Sequence, residues 1–150
     1  MMPNIHINTL AIIIAVVANF ILGYLWYTPI FGRIWAKEMG FNTNEKPPAS
    51  AFAKGIIFSI IGNFLMVWVF AHNMAVWNPV TWGLPPSEMS ASSNALVAAF
   101  FTWLGFFLPG DLSSVAWENK SWKLFFINTG HHFITLLIAA MIIAHMCLNS

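Results

Sequence analysis

Charge is what this sequence has least of. Lys, Arg, Asp and Glu make up 7% of its 150 residues, where soluble domains carry about a quarter. Side chains this few cannot cover the surface of a soluble protein of this length. The net charge of +1 offers no basic patch to neutralise phosphates, so a nucleic-acid partner is not expected. Cysteine occurs once, at Cys147, which excludes an internal disulfide and any cluster of cysteine ligands. Phosphate-binding glycine loops, Cys-x-x-Cys, His-Glu-x-x-His and Gly-x-Ser-x-Gly are missing as well. The expectation is a protein that is not an enzyme and needs no cofactor. Also missing is a cleavable leader. No Lys or Arg precedes the first apolar run, and Trp26-Tyr27-Thr28-Pro29 stand where small residues would mark a cleavage site. That run reads as a retained helix.

Apolar residues are what the chain has in excess, at 59%. The few charges leave four charge-free windows, at 1–32, 55–87, 89–110 and 124–150. A bilayer core takes about 20 apolar residues per helix, so each window holds one span. The fold class is all-α: a polytopic membrane protein, one domain over 1–150, with four transmembrane helices in a bundle. The spans are placed at 7–29, 51–74, 91–109 and 122–147. Asn8 or Thr9 caps the first, and Pro29 and Pro109 are read as ending the first and third. The stretch after Pro29 predicts a short interfacial helix stopped by Gly40. Pro47-Pro48 bars a helix immediately before span two.

All six basic residues (Arg33, Lys37, Lys46, Lys54, Lys120, Lys123) lie in or beside the first and third connections. Under the positive-inside rule those connections face the cytoplasm and both termini face out, in the cytoplasmic (inner) membrane. Trp26, Tyr27, Trp35, Trp117 and Trp122 are assigned to an inner aromatic belt, Trp77 and Trp82 to an outer one. Spans one and three each carry a Gly-aromatic pair (Gly23-Tyr24, Gly105-Phe106) and then a proline. Spans two and four each begin near a lysine and continue with Gly62-Asn63-Phe64 and Gly130-His131-His132-Phe133. Two similar helical hairpins, a parallel repeat, would fit that pattern, and so would chance likeness between apolar helices.

Span one is the most informative. Asn19, Gly23, Trp26, Tyr27 and Ile30 fall at helical spacing on one face. Small residues let helices approach closely in lipid, where no hydrophobic effect draws them together. Gly23, Trp26 and Tyr27 are therefore read as a packing motif, with Gly62 on span two and Gly105 on span three. Stripes of small and polar groups mark expected packed faces: Gly55, Ser59, Gly62, Asn63 and Met66 on span two, then Asn94, Ala98, Thr102 and Gly105 on span three.

Polar groups within the spans are the candidate functional residues. Asn19 and Asn63 sit near mid-membrane. Asn128, His131, His132 and Thr135 follow at i, i+3, i+4 and i+7 on span four, the histidines about 12 Å along the helix from Lys123. Together they predict a polar track through spans one, two and four, with Glu118 the nearest acid in sequence. Ionisable groups at that depth point to function or, as a neutral hydrogen-bonded pair, to the packing of span four, whereas amides there more often bond helices together. His6, His72 and His145 fall near the other surface. Three histidines are a zinc ligand set, and His72 with His145 on facing helices would make a bis-histidine haem pair. Nothing in the sequence fixes their distances, and no metal is assigned.

One resemblance covers most of the chain. It rests on Asn19-x3-Gly23-x2-Trp26-Tyr27-x-Pro29, then Phe31-Gly32-x2-Trp35 and Met39-Gly40. Trp103-x-Gly105-Phe106, Trp117-Glu118-Asn119-Lys120-Ser121-x2-Leu124 and Ile127-Asn128-x-Gly130-His131-His132 complete it. These residues resemble a bacterial family, domain of unknown function 1761. The resemblance implies a small multi-pass membrane protein and no particular activity.

Two function classes stay open. One is a structural or accessory membrane subunit acting through helix contacts, in a homo-oligomer or larger membrane complex. The other is a small oligomeric channel or transporter using the polar track. The lipid bilayer is the common partner of both.

Overall fold

The computed structural model describes residues 2–42 and 48–147; Glu45, Lys46 and Pro47 of the first connection lie outside the described residues. All regular elements among the described residues are helical. Four of them are long and apolar enough to cross a bilayer: Thr9–Ile30, Ala49–Trp77, Ala91–Glu118 and Trp122–Cys147.

Span one opens as α1 (Thr9–Leu25), with Asn8 as its cap: the Asn8 Oδ1 accepts from the Leu10 and Ala11 N–H groups. Pro29 does not end it. The helix widens into a π turn over Trp26–Ile30, and the Phe31 N–H donates five residues back to the Trp26 carbonyl at 2.9 Å. A proline ring in an α-helix collides with the carbonyl four residues earlier. The wider turn moves that carbonyl aside and absorbs the missing N–H. A short α2 (Gly32–Glu38) follows, and Gly40 stops it at φ 71°. Gly32 is forced at the junction, because a Cβ there would stand 2.8 Å from the Tyr27 carbonyl oxygen. The span-two helix, α3 (Ala49–Trp77), starts directly after Pro48.

Span three repeats the device. After α4 (Ala91–Thr102) comes a second π turn, Trp103–Phe107, where the Leu108 N–H reaches back to the Trp103 carbonyl. Then α5 (Leu108–Glu118) continues the rod. Pro109 sits in the first turn of α5, where its absent N–H is not needed. The stretch 110–118, expected as loop, is helix; the third connection shrinks to Asn119–Ser121, with Asn119 left-handed at φ 53°. Span four is α6 (Trp122–Cys147).

The bundle is built around α6, which packs mainly against α4 and α1; α3 leans on α1 and scarcely touches α4. Its seams are alanine. Ala15, Ala95, Ala99, Ala139, Ala140 and Ala144 are fully buried, so backbones come close without glycine. Of the expected small-residue stripes, Asn63, Met66 and Ala98 do reach the bundle interior, but the glycines do not. Gly55, Gly62 and Gly105 have open space where a side chain would stand, so within one chain they pack no neighbour.

Both termini and the second connection share one end: the Asn4 N–H donates to the Thr81 carbonyl, and Asn8 Nδ2 to the Met146 carbonyl at 3.3 Å. At the opposite end Lys123 Nζ lies 4.0 Å from Glu38 Oε1. The described basic residues belong to that second end.

Candidate functional site

Span one lies antiparallel to α6 in a register set by three contacts: Asn8 with Met146, a Cβ at Gly23 with His131, and Trp26 with Ile127. Gly23 leaves room for the His131 ring, whose Nε2 would stand 3.7 Å from an added Cβ. Around that ring close Tyr27, with ring centroids 4.8 Å apart, and Trp26 at 6.0 Å. The Tyr27 hydroxyl donates to Asn128 Oδ1 at 3.1 Å, and Thr135 Oγ1 stands 3.5 Å from His131 Nε2. So Asn128, His131 and Thr135 share the face that meets span one.

His132 does not belong to it. One residue along an α-helix is about 100° of turn, and the ring points instead at span three. It packs on Phe107 with ring centroids 5.1 Å apart. Its Nδ1 lies 2.9 Å from Asp111 Oδ2, and Asp111 is largely buried. Asp111 is the acid that sequence reasoning passed over: read as a loop residue beyond Pro109, it is placed inside the bundle by the π turn. Glu118, the acid nearest in sequence, pairs with Lys120 at 2.6 Å instead.

At the middle of the bundle Asn19 Nδ2 donates to Asn63 Oδ1 at 3.3 Å, and Asn63 Nδ2 to the Val16 carbonyl at 2.8 Å. Asn19 Oδ1 is buried and accepts nothing among the described residues. The register of α1 and α6 sets Asn19 level with Thr135. The structure therefore gathers the expected polar residues into a set on the span-one side of α6, and adds a separate acid–imidazole pair on the span-three side.

Two tryptophans hold this level of the bundle together. Trp26, assigned to a surface belt, points inward and donates its indole N–H to the Ile127 carbonyl at 3.0 Å. Trp103 does the same from the other side, reaching both the carbonyl and the hydroxyl of Thr129 at 3.0 Å. Gly130 makes room for the first of them: a Cβ there would meet the Trp26 ring at 3.4 Å.

The remaining histidines are dispersed. His72 Nδ1 contacts the Trp68 carbonyl of its own helix at 2.8 Å, and His145 Nε2 contacts Ser92 Oγ at 3.0 Å. His6 lines a cavity with Asn4, Asn8 and Cys147. Among the described residues no three His, Cys, Asp or Glu side chains gather to hold a metal.

Chemically, a carboxylate and an imidazole in contact can share a proton, and the second ring nitrogen of the imidazole is a further position for one. No curated protein and no solved structure matches this chain. The family model described as Protein of unknown function (DUF1761) matches residues 10–144, and the chain, a multi-pass membrane protein, belongs to that family.

Proposed function

We propose that the protein moves protons or monovalent cations across the cytoplasmic membrane, as a small transporter or channel, with Asp111 and His132 as the exchange groups. The observation that carries this reading is the depth of the pair. Asp111 stands about 10 Å and His132 about 4 Å from the middle of its span at 1.5 Å per residue, inside a core about 30 Å thick. Ionisable side chains at that depth are costly and are kept for function. His131, Thr135 and the unpaired Asn19 oxygen extend the polar groups towards mid-membrane, and a buried acceptor without a donor is a place for one to bind. The orientation follows the basic residues: the second connection and both termini outside, α2 and the third connection inside.

An accessory subunit acting through helix contacts is the second reading. It is favoured by the amides, since Asn63 and Asn128 bond to span one and would serve as interhelical ties.

Flux into proteoliposomes separates the two. Wild-type protein should carry protons or a monovalent cation between about pH 5 and 8, where imidazoles exchange. Asp111→Asn and His132→Gln should each lower the initial rate about tenfold or more, as removal of a proton-transfer group does, while the protein stays folded. Absence of wild-type flux with protons and every common monovalent cation would overturn the transport reading.

A further inference from the structure

α3 and α4 scarcely touch, and between them lies a cavity of about 640 Å³ on the side of the second connection. Its wall is graded. Asn73, Asn78, Ser87 and Asn94 line one end, and Phe70, Val97, Phe101 and Phe106 line the rest. Asn73 and Asn94 each stand about 15 Å from the middle of its span, at the edge of a 30 Å hydrocarbon layer. Phe106 lies within about 3 Å of the middle of its own span. The cavity thus runs from the polar boundary to the midplane, the depth of one leaflet.

The amides at its mouth are underused. Among the described residues the Asn73 side chain bonds to no protein group, and Asn78 uses only its oxygen, on the Val80 N–H at 3.3 Å. Asn94 has one long contact, 3.5 Å from its Nδ2 to the Met89 carbonyl, and its oxygen is left over. Among the described residues no charged side chain lines the cavity, so nothing there pairs with a phosphate or an ammonium group. What matches is neutral: ester carbonyls that accept from the free amide N–H groups, and a hydroxyl that donates to a free amide oxygen. The volume falls within the usual range of small-molecule sites, about 300–1,000 Å³.

We propose that this cleft binds a neutral glycerolipid of the diacylglycerol class, its ester and hydroxyl groups at Asn73, Asn78 and Asn94 and one acyl chain along Phe70, Phe101 and Phe106. Bulk bilayer lipid would contact this face as it contacts every other. A second copy of the chain would have to bring a helix that satisfies the same three amides.

A diacylglycerol with a photoreactive group in one chain tests the proposal on wild-type protein in vesicles of phosphatidylcholine. Crosslinks should concentrate on 97–106 and around Phe70, and excess unlabelled diacylglycerol should remove them, whereas excess phosphatidylglycerol should not. Asn73→Leu with Asn94→Leu should reduce labelling about tenfold, the loss of one or two hydrogen bonds. Val97→Trp, which fills the cleft, should reduce it as well. Labelling spread evenly over the four spans, equal competition by both lipids, or crosslinking between two copies through this cleft would each overturn it. The competition arm uses only the wild-type chain, so it decides even where a variant fails to fold.

Discussion

Trp26 and Trp103 hold α6 from opposite sides by the same bond. Each opens a π turn, and each donates its indole N–H at 3.0 Å to a carbonyl of α6, Ile127 for one and Thr129 for the other. Those two carbonyls are two residues apart, so both clamps act at one level.

Trp26→Phe and Trp103→Phe keep an aromatic ring and remove the donor. Each should lower stability by about 0.5–1.5 kcal/mol, the net worth of such a bond. The two losses should add in the double variant, because the side chains share no contact in the structure. Thermal unfolding in detergent measures this. Strong non-additivity would mean that the clamps are coupled through α6.

At Gly23 the decisive neighbour is a side chain. A Cβ there would be in ordinary contact with His131, so Gly23→Ala should be tolerated within about 0.5 kcal/mol. Gly23→Leu should displace the His131 ring, lowering stability by about 1–3 kcal/mol, as overpacking does. Leu22→Ala is the comparison, and Gly23→Leu should lower the unfolding temperature more than it does. A neutral Gly23→Leu would show that the α1 face has been misassigned.

The two mid-membrane amides should respond unequally. Asn63→Leu removes the acceptor of the Asn19 amide N–H and leaves a buried amide without any bond among the described residues, at a cost of about 1–3 kcal/mol. Adding Asn19→Leu removes the stranded amide and should recover most of that loss. Unfolding of the single and double variants decides it. Failure of the second change to recover stability would show that Asn19 bonds to something other than Asn63.

Orientation is open to direct labelling. In a Cys147→Ser background, Glu88→Cys should react with a membrane-impermeant maleimide in intact cells. Asn42→Cys should react only after permeabilisation, because the basic residues lie at its end of the bundle. The reverse pattern would invert the topology.

How much of this was legible in the sequence differs residue by residue. The four spans follow from where charges are missing, since a bilayer tolerates so few. Asn8 as a cap, Gly40 as a stop and the start of α3 after Pro48 follow from local backbone chemistry. Asn19, Gly23, Trp26 and Tyr27 do meet the rest of the bundle, because helical spacing is all that requires, whereas Ile30, expected on the same face, is exposed. Pro109 misled, since a π turn before a proline leaves no periodic signature, and Asp111 was lost with it. The glycine stripes misled for another reason. In a span that is apolar all round, composition does not say which face meets protein and which meets lipid, and here alanine makes the close seams.

The second π turn has a further consequence. Its five residues occupy one turn where an α-helix would use fewer, so everything beyond it is out of phase with α4. Winding the same residues as an unbroken α-helix would swing the far segment by roughly a quarter turn about its axis, because an α turn takes fewer residues than a π turn. Asp111 would then face away from α6, with its chemistry unchanged and its azimuth wrong. The phase of this rod, more than the identity of its acid, is what keeps the carboxylate on His132.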